Sequence, residues 1–335
     1  MKHKMVGIDL GSSNLIIYTP SKGIVFNEPN YISVNLKTKK VVSTGYLALK
    51  MQGKEMENVQ VFNPVNNGLI SSISMESLLI KTIIIEKNIK KSFKNAKLII
   101  SSCSDLNEVN ILSLKKLAKN LDVDSVEFFP QSYLALLGCD NGDISSRGNL
   151  VVTLGGGCSD ICVTSGTKLL ISKTSSFSGK KVDEAITRHL RKKHHLIIGE
   201  KTSEYIKMKI GSVEQFPENR LLEVSGRDLV SSLPSSVVIS TVEIKQVIAS
   251  CIKPLIEDIT DCLEITPPEI SSDIIESGII ICGGMSILGG MREYLESNLN
   301  IAIRVASDPT YSVINGIKNV VHQRLYESKA KKKKK

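Results

Sequence analysis

The sequence contains no tryptophan, and aromatic residues make up only 4% of its 335 residues. Isoleucine, leucine and valine must therefore pack the cores, and an apolar fraction of 41% is large enough for that. No stretch reaches the ~18 apolar residues of a membrane span, and residues 1–6 lack the apolar core of a signal peptide. We therefore expect a cytoplasmic protein.

The seven cysteines do not have the spacing of a zinc site. Cys158 and Cys162 form the closest pair, and neither a second pair nor a neighbouring histidine completes a set of four ligands. We predict buried thiols rather than disulfides or a cysteine-based metal centre.

The net charge of +9 is concentrated at one end of the chain. Lys329 and residues 331–335 supply six of these charges, which leaves about +3 for the rest. We predict that residues 329–335 form a disordered, solvated tail, with attraction to an anionic membrane surface as the alternative. Basic and aromatic residues are not interleaved elsewhere, so specific nucleic-acid binding is not expected.

The length exceeds that of one compact domain, so we expect two lobes of similar size. When Gly11 is aligned with Gly155, Asp9 aligns with Thr153. The pattern that these residues share is a strand, a tight turn and a second strand, and it occupies residues 6–19 and 150–165. This repetition indicates that the two lobes have the same architecture.

Both turns consist of small residues, whose backbone N–H groups can approach an anion because no large side chain intervenes. Either turn alone could be an ordinary loop. A third glycine cluster, at residues 282–290, follows the apolar run 278–281. Together the clusters predict phosphate contacts on both lobes and a nucleoside contact at the third cluster.

Residues 182–211 have a helical pattern of apolar positions. Within this segment Glu204 and Lys207 are three positions apart, so they share one helix face. Such a pair is typical of a surface salt bridge. A contact with ribose or adenine is the alternative, and it requires that the helix border the nucleotide.

These motifs resemble those of the actin-like ATPases and, among them, the MreB family. The family's DLGTAN turn corresponds to DLGSSN at residues 9–14, and its DIGGGTTE turn to TLGGGCSD at 153–160. The similarity extends from about residue 5 to 325. Further matching segments are GIVFNEP at 23–29, IGEKTSEYIKMKIGS at 198–212, GRDLVSSLP at 226–234, TPPEI at 266–270 and GIIICGGMSILGGM at 278–291.

The resemblance implies an α/β fold of the actin type, with two duplicated lobes around a cleft for ATP and Mg²⁺. It implies a protein that forms filaments governing cell shape or motility. Its partners would be further copies of itself in paired antiparallel protofilaments, other MreB paralogues and a membrane surface. The implied subdomains are IA at 1–30, 67–147 and 308–328, IB at 31–66, IIA at 148–176 and 242–307, and IIB at 177–241.

The resemblance also assigns roles to individual residues. Asp9 would hold the magnesium ion through water. The residues that would bind the nucleotide are Gly11, Ser12, Ser13, Asn14, Gly155, Gly156, Gly157, Glu204, Lys207, Gly283, Gly284, Met285 and Ser286.

Three positions that the family uses for hydrolysis are altered. Phe129 replaces the glutamate that helps to activate water, Thr153 replaces the aspartate that opens the second turn, and Cys158 replaces the threonine that closes it. A phenyl ring cannot accept a proton, and a thiol is a weak hydrogen-bond partner. We expect ATP binding with weak hydrolysis. Glu127 is the candidate for a partial substitute of the missing glutamate, because Gln131 should face away.

Three other functions compete with this interpretation. An Hsp70-type chaperone shares the cleft but needs a long substrate-binding region after it, which we do not expect here. A sugar kinase needs a catalytic aspartate, for which there is no candidate motif. A nucleotide-dependent scaffold that does not polymerise remains the alternative.

Overall fold

The computed structural model describes residues 4–139, 147–214 and 219–333, with side chains up to Tyr326. The strands are β1 Met5–Leu10, β2 Asn14–Thr19, β3 Gly23–Pro29, β4 Ile32–Asn35, β5 Val41–Thr44, β6 Val59–Phe62, β7 Val65–Asn66, β8 Leu69–Ile70, β9 Lys97–Ser102, β10 Ser125–Pro130, β11 Gly148–Leu154, β12 Ser159–Ser165, β13 Lys168–Ser175, β14 Leu196–Ile197, β15 Leu221–Asp228, β16 Pro234–Ser240, β17 Ile279–Cys282 and β18 Ile303–Val305.

A 3-10 helix covers Gly284–Ile287. The α-helices are α1 Gly45–Met51, α2 Ile73–Glu86, α3 Lys90–Phe93, α4 Glu108–Asn120, α5 Gln131–Gly138, α6 Gly179–His194, α7 Glu200–Ile210, α8 Thr241–Glu264, α9 Pro268–Ser277, α10 Met291–Leu299 and α11 Ser312–Lys333.

The chain forms two compact units. The first comprises Met1–Asp140 and Tyr311–Lys335, and the second comprises Asn141–Thr310. The finer assignment to subdomains IA, IB, IIA and IIB stays a prediction. Helix α11 includes residues 329–333 of the predicted disordered tail. The lysine side chains of that tail, and residues 334–335, lie outside the described part.

The first unit is built on a sheet with the strand order β10-β9-β1-β2-β3. β1 pairs antiparallel with β2, whereas β9 and β10 run parallel to β1. One face of this sheet packs on α2 and α4 through a core that includes Val6, Ile8 and Leu10. Residues of α5 and α11, such as Leu134 and Ile317, form the core on the opposite face.

The second unit repeats this plan. Its main sheet has the order β13-β12-β11-β17-β18, in which β11 and β12 form the hairpin and β17 and β18 run parallel to β11. A single core lies between this sheet and helices α6 and α8. The two hairpins coincide with the repeated sequence patterns, so the predicted duplication and the α/β fold are confirmed.

Local signals explain how the key helices begin. α6 starts after Ser178, whose hydroxyl accepts a hydrogen bond from the N–H of Lys181. Its apolar stripe of Val182, Ile186 and Leu190 is buried because these residues recur every four positions and face the core.

The helical interpretation of residues 182–211 was wrong in one respect, because the segment contains two helices. α6 ends at His194, and His195 adopts a left-handed conformation with φ 52°. Leu196 and Ile197 then pair with β15, so their apolar character serves a strand rather than a helix.

Six of the seven cysteines are buried, as predicted, and Cys251 is half-buried. In the described part of the chain, no helix combines the length and the apolar character that crossing a membrane requires.

Candidate functional site

The first glycine turn joins β1 to β2 and is held by two asparagines from outside the turn. The side-chain amide of Asn30 donates to the carbonyl of Gly11 at 2.9 Å, and its backbone N–H donates to the carbonyl of Ser13 at 2.9 Å. Asn63 donates to the carbonyl of Ser12, also at 2.9 Å. Three successive carbonyls are therefore fixed by the surrounding protein.

This anchoring decides where the N–H groups of the turn point. In a trans peptide the C=O of one residue and the N–H of the next point in opposite directions. The N–H groups of Ser12, Ser13 and Asn14 therefore point away from the asparagines that hold the carbonyls. Successive N–H groups of this kind form a concave site for an anion.

The second turn, between β11 and β12, repeats the same close approach of backbone atoms. A Cβ on Gly11 would lie 2.6 Å from the carbonyl oxygen of Asn14, and a Cβ on Gly155 would lie 2.4 Å from that of Cys158. Only glycine fits at either position without moving the backbone. The two turns therefore share a geometry as well as a sequence pattern.

The beginning of α6 supports the second turn. The N–H groups of Gly179 and Lys180 donate to the carbonyls of Gly155 and Gly156, at 3.0 and 2.9 Å. Because these helix N–H groups are occupied, the helix end holds the turn rather than binding an anion itself. In both turns, donors from outside the turn hold its carbonyls: two asparagines do so in the first turn and the N-terminus of α6 does so in the second.

The third glycine cluster lies directly after β17. Gly283 has φ +87°, and a Cβ there would lie 2.4 Å from the carbonyl oxygen of Leu154, so the loop passes very close to β11. The hydroxyl of Ser286 donates to the carbonyl of Gly283 at 2.7 Å. A side chain on Gly284, by contrast, would meet nothing within 4 Å.

Several predicted binding residues of the second unit converge on Gly179. A Cβ built there would lie 3.3 Å from Nζ of Lys207, 3.3 Å from the sulfur of Met285 and 3.4 Å from Cα of Gly156. The second turn, the third cluster and helix α7 thus meet at one point. Glu204 shares the helix but is exposed.

Lys207 is buried and does not form the predicted pair with Glu204. Its Nζ donates to the carboxylate of Asp183 at 2.8 Å and to the carbonyl of Gly179 at 3.2 Å.

Burial raises the pKa of Asp183 to about 6, although the charge of Lys207 opposes the shift. The other oxygen of Asp183, Oδ1, is buried and has no hydrogen-bond partner among the described residues. An acceptor of this kind suits a ligand hydroxyl.

Asp9 and Phe129 occupy one row across three strands of the first unit. The Ser101 hydroxyl on β9 donates to Asp9 at 2.6 Å, and Ser101 is paired in register with Phe129 on β10. Asp9 is half-buried, and burial raises its pKa to about 6 against the opposing hydrogen bond from Ser101. Phe129 stacks on Tyr133, with ring centroids 6.2 Å apart.

The altered positions of the second turn are both buried. The Thr153 hydroxyl donates to the carbonyl of Asp160 at 3.2 Å, across the β11–β12 hairpin. Cys158 contributes its carbonyl to the turn by accepting the N–H of Gly155 at 3.1 Å.

Glu127 is not available as a substitute for the missing glutamate. It forms ion pairs with Lys97 and, at 3.3 Å, with Arg324. It also precedes Phe129 by two residues on the strand, a displacement of about 6.6 Å. The carboxylate is therefore engaged by two cations and starts from a different position on the strand.

The sequence analysis missed four residues of the site. Asn30 and Asn63 hold the first turn, Ser101 contacts Asp9, and Asp183 pairs with Lys207. Only Asn30 carried a signal, since it directly follows the GIVFNEP segment.

Comparison with known proteins agrees with this geometry. The family model described as MreB/Mbl protein matches residues 3–329. The chain belongs to the MreB/Mbl family. Among curated MreB/Mbl relatives, it is 32% identical over 313 residues to the cell shape-determining protein Mbl of Bacillus subtilis strain 168, and the match covers 93% of each chain.

Two solved structures of this family are similar to the chain over almost its whole length. MreB5 of Spiroplasma citri bound to AMPPNP has a TM-score of 0.92 and 28% identity, with 99% of each chain covered. The same protein bound to ADP has a TM-score of 0.90 and 28% identity, with 98% of each chain covered. These matches confirm the expected actin-like fold.

Proposed function

We propose that this MreB/Mbl protein binds an adenine nucleotide with Mg²⁺, assembles into filaments that govern cell shape or motility, and hydrolyses ATP weakly. The observation that carries the nucleotide proposal is the matching pair of glycine turns, at Gly11 and Gly155. In each turn a backbone carbonyl oxygen lies so close to the glycine Cα that no side chain fits there. Each turn is also held by hydrogen-bond donors from its own unit. The AMPPNP and ADP bound to the similar MreB5 structures support the same ligand class.

The residues present fit the nucleotide and its metal. Asp183 Oδ1, buried beside Lys207 without a partner among the described residues, would accept a hydrogen bond from a ribose hydroxyl. Asp9, with a pKa of about 6, is ionised at neutral pH and would hold the water shell of the magnesium ion. When bound, Mg²⁺ neutralises charge on the phosphate oxygens.

Weak hydrolysis follows from the Phe129 position. A positioned general base typically contributes about 10² to 10⁴ to a rate, and Phe129 provides none. Glu127 cannot supply one from its ion pairs. We therefore expect phosphate release to be slower than in an MreB that retains the glutamate, aspartate and threonine. Equal rates in a steady-state assay of both proteins would reject this part of the proposal.

Nucleotide binding should depend on the second turn. Gly155→Ala places a methyl group 2.4 Å from the Cys158 oxygen, so the turn must open. We expect calorimetry with Mg-ADP to give at least a tenfold weaker affinity. Gly199→Ala is the matched control, because a Cβ there meets nothing within 4 Å. If the unmodified protein bound no adenine nucleotide in the presence of Mg²⁺, the proposal would be wrong.

Filament assembly and a non-polymerising scaffold predict different light scattering. On adding Mg-ATP, scattering should rise for the unmodified protein and Gly199→Ala but not for Gly155→Ala, and electron micrographs should show filaments. Nucleotide binding without any rise in scattering would identify the scaffold instead.

The lysine tail is proposed as a contact with an anionic membrane. Each lysine near such a surface contributes about 1 kcal/mol, and the attraction weakens as salt screens it. Co-sedimentation with anionic liposomes should therefore be stronger for the full chain than for a chain without residues 329–335, and the difference should shrink in high salt. Equal pelleting at low salt would exclude this contact.

A further inference from the structure

Two histidines and one glutamate form a cluster within the second unit. His189 and His194 lie on α6, and Glu243 lies in the first turn of α8. Nε2 of each imidazole is 2.6 Å from the same oxygen, Oε1 of Glu243. The three side chains are 26%, 19% and 12% exposed, so the cluster is shielded but can still be reached by water.

The carboxylate of Glu243 is held in place by its neighbours. The N–H of Glu243 donates to the hydroxyl of Ser240, the N-cap of α8. Its second oxygen, Oε2, is 3.1 Å from Nζ of Lys193. Oε1 therefore faces the two imidazoles, while Lys193 holds Oε2.

We propose that His189, His194 and Glu243 bind one divalent cation of the zinc class. Imidazole nitrogen together with a carboxylate oxygen suits Zn²⁺ and its neighbours, whereas Mg²⁺ and Ca²⁺ prefer oxygen ligands alone. The protein supplies three ligands, and because these side chains are partly exposed, a water molecule can occupy the fourth coordination position of the ion. The cluster is distinct from the residues proposed to bind nucleotide.

The geometry allows the ion to enter with a small movement. The three ligand atoms all lie within 4.8 Å of one another. Bonds of about 2.0–2.1 Å in a tetrahedral site place ligand atoms about 3.3 Å apart, so each Nε2 must withdraw by roughly 0.7 Å. Each imidazole then presents Nε2 without its proton and keeps the proton on Nδ1. The ion replaces the two hydrogen bonds to Oε1 and links α6 to α8.

Nearby positive charge limits the affinity. Arg191, Lys192 and Lys193 occupy the last turn of α6, and their positive charges oppose the binding of a dication. We therefore expect micromolar rather than tighter binding. Bound Zn²⁺ should still raise the melting temperature, because the folded chain presents the three ligands together and the unfolded chain does not.

The test is calorimetric titration of the full-length, nucleotide-free protein with ZnCl₂, in parallel with the absorption spectrum of added Co²⁺. We expect one ion per chain, and affinity at least tenfold weaker in His189→Gln, His194→Gln and Glu243→Gln. His195→Gln removes the adjacent imidazole, which is outside the cluster, and should bind as the unmodified protein does. Cys251→Ser, which removes the half-buried thiol, should also change nothing.

Two measurements keep the outcome clear if a variant is unstable. The Co²⁺ spectrum of the unmodified protein should show four-coordinate bands without thiolate charge transfer, and this needs no substitution. Circular dichroism should show that Glu243→Gln, which retains an oxygen acceptor, is folded but no longer stabilised by Zn²⁺. Absence of saturable binding, or equal affinity in His194→Gln and His195→Gln, would overturn the proposal.

Discussion

Replacing Phe129 by glutamate should raise the rate of ATP hydrolysis by about 10- to 100-fold. Phe129 is next to Ser101, and Ser101 contacts Asp9, so a carboxylate at this position joins a row of polar groups at the ends of three neighbouring strands. We expect less than the full effect of a general base, because Thr153 and Cys158 remain unchanged.

The gain must be separated from the loss of packing. Phe129 stacks on Tyr133 and packs against the core of α5 and α11, so any smaller side chain costs stability. Phe129→Leu is the matched control, since it loses the ring without adding a carboxylate. Phosphate release is measured for both variants at saturating Mg-ATP, with nucleotide affinity checked by calorimetry.

A second control tests whether the carboxylate must lie on the same face of β10 as Phe129. Phe128 lies on the opposite face of β10 and packs against the core of α2 and α4. Phe128→Glu therefore adds the same charge one residue away without raising hydrolysis. Rates for Phe129→Glu no higher than those for Phe129→Leu would contradict the role assigned to this position.

Local features of this chain could be predicted, because short-range chemistry determines them. The turns at Gly11 and Gly155 were evident from glycine between apolar strands, and the repeat indicated two similar units. Both expectations rest on neighbours in sequence, and the structure confirms them. The break at His195 was missed because Leu196 and Ile197 continue an apolar pattern that fits either a helix or a short strand.

Contacts between distant residues could not be predicted. Asn63 reaches Ser12 across 51 positions, and Ser101 reaches Asp9 across 92. Polar residues of this kind look like ordinary surface residues in the sequence. Glu127 shows the same limit, because only the fold brings Arg324 to it and removes it from consideration as a base.

Replacing Glu76 should have the second large effect, which is on the pH dependence of stability. Glu76 is a fully buried acid near Asn30, the residue that holds the first turn. It is 0% exposed, and its carboxyl oxygens have no hydrogen-bond partner among the described residues. Burial raises its pKa from 4.5 to about 8, although the nearby side chain of Asn30 partly opposes the shift. Asn30 is the residue that holds the carbonyls of Gly11 and Ser13.

The sign of the pH dependence follows from this shift. Between pH 4.5 and 8 the folded chain keeps the proton on Glu76 and the unfolded chain loses it, so stability falls as the pH rises. At pH 7 the cost is on the order of 3 kcal/mol, and at pH 5 it is below about 1 kcal/mol. Glu76→Gln has a similar shape without the charge, so it should remove most of this cost.

We therefore expect Glu76→Gln to be more stable than the unmodified protein at pH 7 and nearly equal to it at pH 5. Urea unfolding at several pH values measures the difference. Glu86→Gln is the control, because Glu86 is exposed at the end of the same helix and should leave the pH dependence unchanged. Parallel stability curves for Glu76→Gln and the unmodified protein would show that Glu76 keeps an ordinary pKa, and that the acid behind Asn30 is ionised when the first turn is folded.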